Sequence, residues 1–193
     1  MGIRPAFLAV IGVLSTAATL CTIAWLPSLV GIKMNDSPSI VPLEVTLVPG
    51  STPSTLQVRI HNTDLERTIS FLTWDTPLDP SAINTGVLSL VNANTGETIP
   101  GPDMKINRLL PPPRKDLVEL VPGASTGRDL ALKSPWIPTD GTRCTVRMQG
   151  TWRAVWAKPA VQVTDLELGS MIGDQRTTAF DTRSVEMSID GSD

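Results

Sequence analysis

Alternation dominates the chain beyond residue 42. In Glu44-Val45-Thr46-Leu47, Leu56-Gln57-Val58-Arg59-Ile60-His61, Cys144-Thr145-Val146-Arg147-Met148-Gln149 and Val185-Glu186-Met187-Ser188-Ile189, apolar and polar residues take turns. A period of two sends one set to each side of an extended chain, so each stretch predicts a half-buried antiparallel strand. Shorter apolar runs at 69–74, 87–91, 104–110, 117–121 and 130–133 predict further strands. Turn-forming residues fall between them: Pro49-Gly50, Asn94-Thr95-Gly96, Pro100-Gly101-Pro102, Pro122-Gly123 and Asp140-Gly141. Many short strands at such spacing predict an all-β antiparallel sandwich, with Leu47, Val58, Ile60, Phe71, Trp74, Leu90, Val146 and Met148 in its core. The pattern lapses over 159–180, which reads as a short helix or an ordered loop.

The N-terminus follows another rule. Residues 5–32 are 28 positions without a charge, bounded by Arg4 and Lys33. About 20 apolar residues suffice for a helix to cross a bilayer, and Trp25 falls where an interfacial aromatic belongs. The reading adopted is a hydrophobic helix acting as a single-pass membrane anchor within residues 1–33, then a linker over 34–42 and the β-sandwich domain over 43–193. Two alternatives stand beside it. One is a secretory signal, with Arg4 before an apolar stretch at 6–14 and small residues for cleavage at 15–18. The other is translation from Met34, giving a cytoplasmic product. Of the two cysteines, Cys21 lies in the apolar run and Cys144 stands alone in the domain, so no disulfide forms within the domain and a reducing compartment is compatible.

Charge and composition then narrow the chemistry. With Arg4 and Lys33 set aside from the 16 basic residues, 14 remain from Met34 onward against 19 acidic ones. An acidic domain without a clustered basic face is not built for nucleic acid. His61 is the single histidine. Serine nucleophiles such as Ser134 or Ser170 therefore have no evident base, and no glycine-rich phosphate loop occurs. The expectation is a protein without cofactor or catalysis.

Three groups of residues invite a functional reading. In Leu72-Thr73-Trp74-Asp75-Thr76-Pro77-Leu78-Asp79-Pro80, the two aspartates fit side-chain to backbone turn bonds better than an acid–base pair, and Trp74 fits the closing residue of a core. Lys105, Arg108, Arg114 and Lys115, around the polyproline spacer Pro111 to Pro113, are candidates to clamp an anion. Trp152 and Trp156 flank Arg153. Four residues apart in one strand they would share a face, either as core or as a partly exposed protein-binding hot spot.

An antibody-type domain is excluded, because it needs an inter-sheet cysteine pair and a tyrosine corner, and the chain has no tyrosine. Immunoglobulin-like architecture alone survives. The order Asn62-Thr63, Leu72-x-Trp74-x-Thr76-Pro77-Leu78-Asp79, Lys105-x-x-Arg108, Asp116-x-x-x-Leu120-Val121-Pro122-Gly123 and Asp129-Leu130 resembles the β-sandwich domain that precedes the catalytic domain in deuterolysin-type peptidyl-lysine metalloendopeptidases of fungi and bacteria. It also resembles uncharacterised single-domain proteins of filamentous fungi. The likeness covers about residues 43–152. It departs at Pro80, where that family has glycine, and at Thr142 to Val146, which replace a tyrosine-rich strand. The catalytic half is missing, since His-Glu-x-x-His needs two histidines on one helix face. The resemblance implies a non-catalytic protein-interaction module, an inhibitor or chaperone of the propeptide kind with an unnamed protein partner. The alternative is a membrane-displayed structural or accessory domain.

Overall fold

The computed structural model describes residues 41–52, 54–173 and 178–191. The hydrophobic run at 5–32, with the anchor helix expected there, and nearly all of the linker at 34–42 lie outside these residues. No described helix is long and apolar enough to cross a membrane.

Eleven described strands account for most of the regular structure: β1 Leu43–Pro49, β2 Thr55–Asn62, β3 Ile69–Leu72, β4 Leu88–Asn92, β5 Thr98–Ile99, β6 Leu117–Leu120, β7 Ser125–Ala131, β8 Asp140–Thr151, β9 Val155–Trp156, β10 Ala179–Asp181 and β11 Val185–Asp190. Every pairing among the described strands is antiparallel. One sheet runs β1-β2-β7, a second runs β10-β8-β4-β5 with β11 also on β8, and a third runs β6-β3-β9.

The alternation read in the sequence sets the layers. Leu56, Val58 and Ile60 of β2 face inward, as do Cys144, Val146 and Met148 of β8, while Gln57, Arg59 and Arg147 face water. These inward sets meet Leu43, Leu47, Leu90, Leu130 and Ile189 in one apolar core. All eight core residues named from the sequence are buried. Strand β3 lies between β6 and β9 and is buried at every position, because Ile69 and Phe71 enter the main core on one face while Leu72 enters a second cluster and Ser70 bonds the Lys158 carbonyl on the other.

Two expectations change, and a third is met in part. Residues 104–110 form no strand: beyond an isolated bridge between Thr85 and Asp103 the segment is irregular. The strand expected at 130–133 is the tail of β7, which begins at Ser125. The stretch at 159–180 has the short helix that is one of its two expected forms, α1 Asp165–Ser170 of six residues, set between a 3-10 turn Ala160–Gln162 and β10. Helix α1 starts on a capping box, in which Thr164 accepts from the Glu167 amide at 3.2 Å and the Glu167 carboxylate accepts from the Thr164 amide at 2.8 Å.

Candidate functional site

After β3 the chain enters a turn whose shape is set by its own oxygen-bearing side chains. The Thr76 hydroxyl donates to the Thr73 carbonyl at 2.7 Å and accepts from the Leu78 amide at 3.2 Å. Asp79 has no exposed surface, and its carboxylate accepts from the amides of Asp75 at 2.8 Å and Ser81 at 2.9 Å. Asp75 occupies the left-handed region at φ 57°, which aspartate tolerates better than most residues.

A buried carboxylate needs a counter-charge. Arg108 supplies it, pairing with Asp79 and lying 5.0 Å over the Trp74 ring. The Trp74 indole N–H donates to Asp116 Oδ2 at 2.8 Å. Asp75 accepts from Arg153 Nε at 2.6 Å and Nη2 at 2.5 Å, and its other oxygen is 3.9 Å from Arg108. Burial also pulls the Arg128 guanidinium below its ordinary pKa while the Asp79 charge pushes back. Trp74 and Asp79 from the turn, with Arg108 and Asp116 from about thirty to forty residues further along, form one knot.

A cleft of about 640 Å³ opens against that knot. Trp74, Val87 and Gly150 line it together with Asp75, Arg108 and Arg153. Gly150 is required here. A Cβ at this position would lie 2.7 Å from the Phe180 ring and 3.0 Å from the Asp75 carbonyl, so a side chain would force the turn off β8. On the opposite side stand Asp103, Met104, Lys105, Ile106 and Leu110, with Met171 from beyond α1. Met104, Ile106 and Leu110 are 57%, 41% and 60% exposed, so their apolar surface faces water.

Residues 42–189 match the sequence model of the immunoglobulin-like domain family. The chain belongs to the immunoglobulin-like domain family. The match spans all eleven strands, from just before β1 into β11. A protein of Arthroderma benhamiae, named an uncharacterised secreted protein, is 36% identical over 126 residues, which are 64% of this chain and 63% of the relative. The chain thus spans less than two thirds of that relative's length. Neither match names a protease domain, and the likeness to deuterolysin-type enzymes stays with the motif spacing.

Within this immunoglobulin-like domain the residues singled out from the sequence part company. Trp74, Lys105, Arg108 and Arg153 come together at the cleft. Arg114 and Lys115 do not. Arg114 reaches the Val163 carbonyl at 2.8 Å and Asp165 at 2.7 Å, fastening α1, and Lys115 is exposed on the 3-10 turn Arg114–Asp116. The four cations therefore form no common anion clamp. Thr76, Pro77 and Leu78 build the turn beneath the cleft, and Pro122-Gly123 makes the β6–β7 turn, with Gly123 at φ 69°.

The tryptophan pair also differs from the one-strand expectation. Strand β8 ends at Thr151 and β9 begins at Val155, so Trp152 and Trp156 lie on two strand ends. Trp152 is 1% exposed, stacked edge-on to Phe71 at 5.2 Å and tilted against Phe180 at 5.1 Å. Trp156 has no exposed surface and packs in a second cluster with Leu72, Trp74 and Leu168. Neither ring is open to a partner, because both fill core space. The sequence reading missed Asp103, Met104, Ile106 and Met171 as cleft residues. An apolar run gives no sign in the sequence that it will stay exposed.

Proposed function

We propose that this immunoglobulin-like domain is an exported, non-catalytic protein-interaction module whose contact surface is the cleft over Trp74. The observation that carries the reading is the apolar rim of Met104, Ile106 and Leu110, left in water beside a charge network already closed by Asp75, Asp79, Arg108 and Arg153. Apolar side chains gathered at a concave, partly charged site suit protein contact. The test is a photo-crosslinking residue placed at Ile106 in the full chain, produced in its own cells, with the same residue at exposed Val48 on β1 as the control. A discrete adduct at 106 that is missing at 48 and lost in Lys105→Glu is expected. No adduct at 106, or the same adducts at both sites, overturns the reading.

Export is supported by the relative named as secreted and by the apolar run at 5–32. A tagged full-length chain is expected in the medium with its N-terminus near Thr19. Recovery at full mass in membranes that resist carbonate extraction would favour the membrane-displayed accessory domain instead, and a soluble cytosolic product starting at Met34 would remove export. The motif spacing supports a narrower form of the proposal, an inhibitor or chaperone of a deuterolysin-type endopeptidase. Added to the catalytic domain of such an enzyme, the purified chain should lower its turnover or raise its refolding yield. A null result in both assays removes that form and leaves the interaction module.

A further inference from the structure

The cleft has one wall whose backbone is open. The amide of Met104 donates to the Asn84 carbonyl at 2.9 Å, beside the isolated bridge between Thr85 and Asp103, and there the pairing stops. From Lys105 to Leu110 no backbone N–H or C=O takes part in a hydrogen bond among the described residues, and the segment has neither helix nor strand of its own. Free main-chain groups beside exposed apolar side chains are what an incoming strand uses, with hydrogen bonds for affinity and side-chain pockets for selection.

Charge narrows the occupant. Arg108 and Arg153 are engaged by Asp79 and Asp75. Asp103 and Lys105 are exposed, line the cleft, and have no ion pair among the described residues. They are one unmatched charge of each sign, two residues apart where the bridge ends and the open wall begins. A ligand of a single sign would satisfy one and be repelled by the other. The matching ligand carries both signs on either side of apolar residues that reach Ile106 and Leu110.

We infer that the cleft binds an extended peptide segment of another protein, added as a strand along residues 105–110, with an acidic side chain for Lys105 and a basic one for Asp103. The inference rests on the reading of the cleft as a protein-contact surface and names the chemistry of its partner.

The experiment selects binders to the full chain from a degenerate octapeptide library and repeats the selection with Lys105→Glu and Asp103→Lys. Selected peptides are expected to contain apolar residues together with one acid and one base. Lys105→Glu should weaken the best peptide about tenfold, as a charge reversal at a contact does. Replacing the peptide's acid by lysine should restore binding to that variant. Hydrogen exchange with the best peptide bound should slow the amides of 105–110. A library that yields no binder, peptides of uniform charge, failure of the charge swap, or protection confined to other residues each overturns the inference. A photo-adduct at Ile106 would still uphold the contact surface in those cases, and its absence would remove that reading separately.

Discussion

Arg108 is the residue on which the knot beneath the cleft turns, and its removal has a calculable cost. In Arg108→Ala, Asp79 keeps the amides of Asp75 and Ser81 but loses its direct counter-ion while fully buried. Leaving a buried charge unpaired costs about 3 to 5 kcal/mol. The two surviving amide bonds and the nearby Arg128 charge hold Asp79 to the low end, about 3 kcal/mol. Loss of the guanidinium over Trp74 adds about 0.5 to 1 kcal/mol. The 3.9 Å contact with Asp75 contributes little, because it is long and Arg153 already holds that carboxylate at 2.5 Å. The total, about 3 to 4 kcal/mol, corresponds to a Tm lower by roughly 10 °C for a domain of this size. Urea unfolding followed by tryptophan fluorescence, with thermal unfolding as a check, measures it. Asp79→Asn alone should cost about 2 kcal/mol, because its amide nitrogen replaces an oxygen that accepts from a backbone N–H. The double variant should lose about 2 kcal/mol less than the sum of the single ones. Stability of Arg108→Ala within about 1 kcal/mol of wild type, or strict additivity of the pair, would refute the assignment of Arg108 as the counter-charge of Asp79.

Other expectations test separate parts of the molecule. Ser54 sits buried at φ 56° with its hydroxyl accepting from the Asp190 amide at 2.8 Å and donating to the Asp190 carbonyl at 2.5 Å. Ser54→Ala should destabilise by about 2 kcal/mol in denaturant titrations, and Ser54→Gly by about 1 kcal/mol less, since glycine removes the left-handed strain. The bonds from Lys158 and Thr164 hold the Glu167 carboxyl down from its ordinary 4.5 to about 2. A depressed carboxylate stabilises the fold above its unfolded pKa and loses that contribution as pH falls through the folded value. Glu167→Gln should therefore flatten the acid limb of the stability profile between pH 4.5 and about 2, and an unchanged limb would contradict the bond geometry. Burial, aided by Asp140, pushes the Cys144 thiol up. It should resist alkylation at pH 8 in the native protein and react at the ordinary rate once urea unfolds it.

The strand layout was legible because a half-buried strand writes its period into the chain. Leu56, Val58 and Ile60, or Cys144, Val146 and Met148, had to alternate with polar neighbours once one face met the core and the other met water. Strands β5, β9 and β10 are two or three residues long, too short to show any period. The same limit hides the break after Thr151, so the four-residue spacing of Trp152 and Trp156 suggests one face although each fills a separate cluster. The apolar pattern of 104–110 was a faithful record of composition and a misleading record of burial. Local periodicity reports which residues can be buried, while their actual burial depends on whether another part of the chain arrives to cover them. The knot is the clearest case. Trp74 and Asp79 are recognisable in the sequence as turn and core residues, but the choice of Arg108 rather than Arg114 or Lys115 as the partner of the buried carboxylate is made by tertiary packing. That packing carries Arg108 over the Trp74 ring to the hidden Asp79 carboxylate, and it carries Arg114 to the start of α1.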